Sequence, residues 1–528
     1  MHIPLLVPIG LGQGVVFLRH KLPIFYSALM LTGVNLLLRM ISTSFQVFLS
    51  GRIGAGGIGL FQLVMSVGAL AMTAGMAGVR TASMYLSAEE LGRKKPGAVK
   101  WVLSGCMLYS VLVSGIIALG LFAFAPLIGT RWIGDVRTVE ALRLYGAFLP
   151  VSCLCGVMTG CFTAANRIGT LAAVEVAEQL FSMALTMVAL TLWAGSDPGK
   201  ACRSVILGSG AGSCLTLLLL TVLRLRERIP ATPRIPVAKR LVQTALPLAL
   251  GDILKSGINT VENLMVPKRL ALYPGTDAPL AAFGLVCGMV FPVMMFPAAI
   301  LFGLAELLIP ELARCSAAGS RSRIRYLAHR SLRISLLYGC LFLGMAFLLA
   351  EPLCLKLYGS PEAALWLRRF SLLIPMLYCD AITDAMTKGL GQQTACVRYN
   401  ILTSFLDVVF LYLLLPTCGM EGYYISFLVT HLLNFLLSLR RLLKITGKLL
   451  TLRFCLLTPL ASGLGLLLCR QIPQPIPAAC CYLPAFGALL VLFGCVTKED
   501  LSWVRQLVGR TEPPRSASTP SPQIQSCQ

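Results

Sequence analysis

Charge is what this sequence has little of. Only 13% of its 528 residues are Asp, Glu, Lys or Arg, against about 25% in an ordinary soluble chain. With 56% hydrophobic residues and a mean hydropathy of +0.79, there is too little polar surface to cover a globule in water. That excludes a soluble fold and makes hydrocarbon the solvent for most of the chain. Acid is scarcer still, with 22 Asp and Glu against 45 Lys and Arg and a net charge of +23. The excess does not point to nucleic acid. The basic residues sit in short clusters between long apolar runs, not interleaved with aromatics on a compact domain.

Other absences narrow the function. No phosphate-binding loop of the GxxxxGK[ST] type occurs, which argues against an ATP motor within the chain. Long hydrophilic loops are missing too, whereas a membrane glycosyltransferase, polymerase or ligase needs a sizeable external segment to hold its catalytic groups. No enzymatic activity and no cofactor are expected. The 19 cysteines lack metal or redox spacing. Cys106, Cys153, Cys155, Cys214, Cys287 and Cys340 lie in apolar runs, where a thiol is a small hydrophobe, and Cys480-Cys481 forms no paired motif. Neither a disulfide framework nor a metal site is expected.

What is present is a succession of apolar runs of about 20 residues, the length of a membrane-spanning helix. Fourteen candidates are 24–49, 59–86, 101–125, 143–165, 170–194, 204–223, 241–266, 281–310, 330–350, 365–388, 394–416, 420–439, 450–469 and 478–497. Tight turns near Asn166 and Gly391 join two of the pairs. Basic clusters such as Arg93-Lys94-Lys95, Arg224 to Arg240, Arg314 to Arg330 and Arg440 to Arg453 fall on the side of the N-terminus. By the positive-inside rule both termini of this multi-pass protein are expected on the cytoplasmic side.

The organisation reads as two halves. Residues 1–23 are a cytoplasmic or interfacial extension, because Arg19-His20-Lys21 follow its apolar run, the reverse of a secretory signal. Residues 24–224 form a six-helix bundle, 225–240 a basic linker with Pro230, Pro233 and Pro236, 241–445 a second six-helix bundle, and 446–497 a terminal helix pair. Residues 498–528 are a cytoplasmic tail, Pro- and Ser-rich and disordered from Thr511. Phe148-Leu149-Pro150 and Ile374-Pro375, each before a tight turn, are faint marks of a repeat. Transporters are often built this way, with substrate held where the halves meet.

Polar residues inside the spans are costly and so are functional candidates. Asn35, Arg39, Ser42 and Gln46 share one face of the first span, and Gln62, Ser66, Thr73 and Arg80 one face of the second. Asp252, Lys255, Asn259 and Glu262 form a stripe on the seventh; Asp380, Asp384 and Lys388 do so on the tenth. Asn35, Arg39, Gln46, Gln62, Arg80, Lys255 and Asn259 are expected to line a substrate cavity. Asp252, Glu262, Asp380, Asp384 and Asp407 are candidates for binding a coupling H⁺ or Na⁺.

Plainer readings stand beside these. Asp252 and Lys255 would neutralise each other at i, i+3. Lys388 would snorkel from beside Asp384, and Asp407 and His431 would be hydrogen-bonded core groups. Glu175, Glu178 and Glu306 would be solvated at the interface. Arg39 is different, since it lies deep in its span with no acid near in sequence and cannot shed its charge. A guanidinium fork in a wet cavity favours a phosphate or pyrophosphate head group. Export of such an anion is helped by an inside-negative potential.

The run Leu38-Arg39-Met40 and Phe48-Leu49-Ser50-Gly51-Arg52-Ile53-Gly54-Ala55-Gly56-Gly57-Ile58-Gly59-Leu60-Phe61-Gln62 resembles the opening of the stage V sporulation protein B-like polysaccharide transporters. These lie within the multidrug/oligosaccharidyl-lipid/polysaccharide (MOP) exporter superfamily. Ala245-Leu246-Pro247-Leu248, Val266-Pro267-Lys268-Arg269-Leu270, Phe296-Pro297-Ala298-Ala299, Leu308-Ile309-Pro310-Glu311 and Lys388-Gly389-Leu390-Gly391-Gln392 extend the likeness. The resemblance implies an all-α, MATE/MOP-like fold of fourteen spans, two six-helix bundles in a V plus a C-terminal pair, working by alternating access. It also implies a lipid-linked glycan cargo such as a peptidoglycan precursor for the spore cortex, and a cavity role for Arg39. It passes no role to Arg80. A multidrug cation antiporter of the same superfamily and a non-transporting envelope-assembly scaffold are the alternatives.

Overall fold

A computed structural model describes residues 13–496, apart from Lys94, Pro96, Asn166, Ser196, residues 227–232, Arg234 and Ile235. Residues 1–12 of the expected extension, half of the linker and the Pro- and Ser-rich tail lie outside the described residues, as does the side chain of Asn35.

The described chain is helical from end to end. In hydrocarbon no water is available to backbone groups, and a helix satisfies them within one segment. The first half comprises α1 (Gln13–Met76), α2 (Val79–Gly92), α3 (Ala98–Leu127), α4 (Thr138–Ala164), α5 (Ile168–Ala189) and α6 (Pro198–Leu225). The second comprises α7 (Ala238–Leu270), α8 (Pro279–Leu285), α9 (Phe291–Met295), α10 (Ala298–Ala317), α11 (Arg321–Tyr358), α12 (Pro361–Ser371), α13 (Ile374–Gly389) and α14 (Gln393–Thr446). Then come α15 (Leu452–Cys469) and α16 (Pro475–Leu492). The starts of α6 and α12 carry capping side chains. Asp197 accepts from the Gly199 N–H at 2.9 Å and Ser360 from Ala363 at 3.2 Å. Each is followed by a proline whose missing N–H costs nothing in a first turn.

Two helices are too long for one crossing. At 1.5 Å per residue α1 and α14 would run about 95 and 80 Å, against about 30 Å of hydrocarbon. Both fold back at a glycine, Gly54 (φ 67°, ψ −179°) and Gly419 (φ 60°, ψ −140°). In α14, Ser426 donates to Asp407 across 2.6 Å; nineteen residues of straight helix would hold them about 28 Å apart. In α1, Gln46 and Ile58 both reach Gly288. Each helix is therefore a hairpin of two arms.

Among the described residues nine helices are long and apolar enough to cross a bilayer, or ten if the bent pair Pro279–Met295 and Ala298–Ser316 is one crossing. The chain is a multi-pass, all-α membrane protein. Residues 13–23, expected in the extension, are the first turns of α1.

Two compact units divide at Leu449 and Leu450. In the smaller, α15 and α16 are held by a 2.8 Å hydrogen bond between the Ser462 and Tyr482 hydroxyls, with Tyr482 stacked on Phe486. In the larger, the first half has a core of Val79, Ala82, Leu86, Cys106, Val157 and Phe162. Val237, Leu241 and Ala245 from the start of α7 are buried in that same core. The first two turns of α7 are thus packed into the first bundle.

Candidate functional site

The second arm of α1 does not continue smoothly into α2. Ala77 (φ 41°) and Gly78 (φ 72°) are both left-handed, a conformation that costs a non-glycine residue about 1–2 kcal/mol. At Gly78 no side chain fits, since a Cβ would lie 2.4 Å from the Ala245 carbonyl oxygen. Here α1–α2 and α7 touch, backbone to backbone. Toward the Gly54 end they touch again, where the Thr260 hydroxyl donates to the Ser66 carbonyl at 3.0 Å and the Asn263 amide to the Ser66 hydroxyl at 3.1 Å.

Between these two contacts the halves separate around a cavity of about 430 Å³ lined by Thr73, Arg80, Thr81, Asp252, Lys255 and Asn259, among others. Arg80, Asp252 and Lys255 make no hydrogen bond or ion pair among the described residues. The expected Asp252–Lys255 neutralisation is therefore not formed. Among the described residues lining it, two cations face one carboxylate, and the first turn of α2 adds the positive end of its helix dipole to the same wall. Such a cavity favours an anion.

Lys255 and Asn259 also line a second cavity of about 430 Å³, inside the second half. It gathers Glu262, Asp380 and Asp407. Asp407 accepts from Ser426 at 2.6 Å and from Thr430 at 3.0 Å, and Glu262 lies close enough to act on it directly. Asp380 accepts from the Asn434 amide at 3.2 Å. Asn400, Thr403 and Tyr423 complete a wall rich in oxygen, and His431 lies stacked on Phe427 at 3.8 Å.

A third cavity, of about 340 Å³, lies inside the first half and holds Glu175 and Glu178 with Tyr145, Phe148 and Ser213. Glu178 accepts from the Thr216 hydroxyl at 2.6 Å. Both glutamates thus line a cavity inside the first half. A fourth space, about 440 Å³ and apolar, lies between Met40, Thr43 and Val47 of α1 and Phe342, Met345 and Leu349 of α11.

Of the expected substrate-cavity residues, the structure brings Arg80, Lys255 and Asn259 together and adds Asp252. Glu262, Asp380 and Asp407 meet in the second-half cavity. Asp384 does not join them; it pairs with Lys388 at 2.5 Å, which supports the plainer reading of that pair. Gln46 donates to the Gly288 carbonyl at 2.9 Å, packing α1 on the second half. Gln62 is half-buried and lines none of these four spaces. Arg39 is exposed, without a hydrogen bond or ion pair among the described residues, and neighbours the apolar space through Met40. Sequence reasoning passed over Asn263, Asn400, Thr403 and Asn434. A stripe of Asn400, Thr403 and Asp407 at i, i+3 and i+7 was the available signal.

The architecture is that of a multi-pass, all-α membrane protein with cavities within and between its halves. Residues 247–413 match the MatE family. The chain is 23% identical over 410 residues to stage V sporulation protein B of Bacillus subtilis (strain 168), covering 75% of this chain and 78% of that one. Its fold is similar to the lipid II flippase MurJ in an inward closed conformation, with TM-score 0.66 and 12% identity over 91% of this chain and all of that one. It is also similar to an inward-facing multidrug resistance MATE family transporter of the MOP superfamily, with TM-score 0.63 and 15% identity over 79% of this chain and all of that one. Together these bear out the resemblance to the stage V sporulation protein B-like group and the MATE/MOP-like fold that it implies.

Proposed function

We propose that this protein is a flippase that carries a lipid-linked saccharide, held by its phosphate or pyrophosphate, across the bacterial cytoplasmic membrane. In this reading fourteen spans leave both termini in the cytoplasm. The observation that carries it is the cavity between the halves, where Arg80 and Lys255, with no hydrogen bond or ion pair among the described residues, share a wall with the Asp252 carboxylate. An unpaired cation inside a membrane protein is expensive, and an anionic cargo is what offsets that expense. The head group would occupy this cavity, with Arg39 receiving it from the first span. The apolar space beside Met40 and Phe342 suits a hydrocarbon chain that never leaves the lipid.

Transport follows from the two contacts that bracket the cavity. With the Ser66–Thr260 and Ser66–Asn263 bonds intact and the Gly78–Ala245 approach open, the cavity faces one side. With the first broken and the second formed, it faces the other. Glu262 and Asp407, side by side with Asp380 near, form the place where H⁺ or a monovalent cation binds. Its arrival there changes the charge facing Lys255, and so the hold on the cargo. The membrane potential adds about 2.3 kcal/mol per net charge per 100 mV to outward movement of an anion.

A multidrug cation antiporter is the second reading, and the acid-rich cavity of Glu262, Asp380 and Asp407 is what favours it. A scaffold that transports nothing would have no need of a space between its halves. The deciding experiment is reconstitution into liposomes with a fluorescent polyprenyl-diphosphate sugar, following its accessibility to an external quencher. Wild-type protein should move it, and Lys255→Gln should slow it about tenfold or more, the loss of one charge-assisted contact. Efflux of ethidium with no movement of the lipid would sink the flippase and support the antiporter.

A further inference from the structure

The cavity between the halves is not isolated. It shares Met72, Met76 and Arg80 with the cavity inside the first half, so Arg80 stands in a common wall. On one side of that wall lies the space assigned to the cargo's anion. On the other lies Glu175 of α5, half-buried, with no hydrogen bond or ion pair among the described residues but close enough for its charge to act on Arg80. Its neighbour Glu178 is already engaged by the Thr216 hydroxyl at 2.6 Å. Among the described residues Arg80 therefore has one unengaged carboxylate behind it and an anion-favouring cavity before it.

The backbone holds Arg80 in that wall. Its helix restarts after the left-handed pair Ala77–Gly78, and on the opposite side a Cβ at Gly160 would stand 2.4 Å from the Arg80 carbonyl oxygen. Main-chain packing on α4 and α7 thus fixes the Cα of Arg80, while its side chain, exposed to both spaces, is free to choose between them.

We infer that Arg80 is a shared cation, drawn toward Glu175 when the central cavity is empty and toward the phosphate oxygens of the cargo when it is filled. This rests on the flippase reading and adds a specificity residue to it. The guanidinium fork meets two phosphate oxygens at once, which Lys255 cannot do. Glu175 competes for the same fork and so weakens cargo binding. That competition makes release possible, because a cavity whose cations had no alternative partner would hold a diphosphate too firmly to let it go.

The test uses the full chain purified in detergent, with farnesyl diphosphate as the probe and farnesol as its uncharged counterpart. Wild-type protein should bind the diphosphate in preference to farnesol. Arg80→Gln should weaken diphosphate binding about tenfold or more, leaving farnesol binding unchanged. Glu175→Gln should bind the diphosphate several-fold more tightly than wild type, and that gain should vanish in the double variant. Should Glu175→Gln fail to fold, Glu175→Asp replaces it, with a smaller gain of the same sign expected. A Glu175 variant that binds no more tightly, or a double variant that keeps the gain, overturns the shared cation while leaving the flippase reading intact. Wild-type protein that makes no distinction between diphosphate and alcohol overturns both.

Discussion

Arg240, in the first turn of α7, donates to Oε1 of Glu90, at the end of α2, across 2.9 Å, and the Glu90 side chain is only 2% exposed. Glu89 takes the other nitrogen of the same guanidinium at 2.6 Å but is 31% exposed. The geometry looks like one latch of two equal bonds, yet burial makes them unequal. Removing Arg240 leaves a buried carboxylate with, among the described residues, only the exposed Arg93 at 3.4 Å. Breaking a buried pair costs about 3–5 kcal/mol, less whatever Arg93 restores. Glu89→Gln removes a half-screened pair worth under about 1 kcal/mol. Thermal melts in detergent should show a large drop for Arg240→Ala and a small one for Glu89→Gln. Equal drops would mean that Glu90 is not the anchor.

The hairpin of α14 invites a different comparison. The buried hydroxyls of Ser426 and Thr430 converge on one oxygen of Asp407. Ser426→Ala and Thr430→Val each remove a donor from a buried acceptor, at about 1–3 kcal/mol. Asp407→Asn keeps an oxygen for both hydroxyls and removes only the charge. The two donor variants should therefore melt earlier, whereas Asp407→Asn should melt near wild type but lose transport driven by a cation gradient. Gradient-driven transport that survives in Asp407→Asn would remove this carboxylate from the coupling site.

Arg39 tests the opposite combination. It is exposed and makes no hydrogen bond or ion pair among the described residues, so Arg39→Ala should leave the melting temperature and membrane insertion as they are. If Arg39 receives the head group, the same change should abolish complementation of a flippase-depleted strain. Arg39→Lys, keeping charge but not the planar fork, should restore it in part. Normal complementation by Arg39→Ala would end the arginine's role.

How far the sequence revealed this arrangement depended on periodicity. Asp252, Lys255, Asn259 and Glu262 fall on one helical face, so their common environment was legible without coordinates. The length of apolar runs separated two spans near residue 419 but left Ala77–Gly78 inside one run, 59–86. The break at that pair restarts the helix and turns Arg80 from a residue near a span end into one shared by two cavities. Asn263 and Ser66, 197 residues apart, are ordinary polar residues in their own spans, and only tertiary packing makes them a contact between halves. Asp384 misled in the other direction. It shares a stripe with Asp380, but the i, i+4 pairing with Lys388 takes it out of the acidic cavity.

The seam between α1 and α8 yields the sharpest steric expectation. A Cβ at Gly284 would stand 2.1 Å from the carbonyl oxygen of Ala55, and one at Gly59 would stand 2.2 Å from that of Leu280. Both obstacles are backbone, which cannot swing aside as a side chain can. Reaching ordinary van der Waals separation would push the two helices apart by on the order of 1 Å, and close small-residue packing is a principal source of helix association in lipid. Gly284→Ala should therefore insert but fail to close this end, and lose transport. Gly115→Ala in α3, where a Cβ meets nothing within 4 Å, should be neutral or stabilising by about 0.5–1 kcal/mol through helix propensity. Transport assays on the two variants side by side separate local sterics from a general intolerance of alanine. If Gly284→Ala transports as well as Gly115→Ala, the α1–α8 seam is not the seal that its geometry implies.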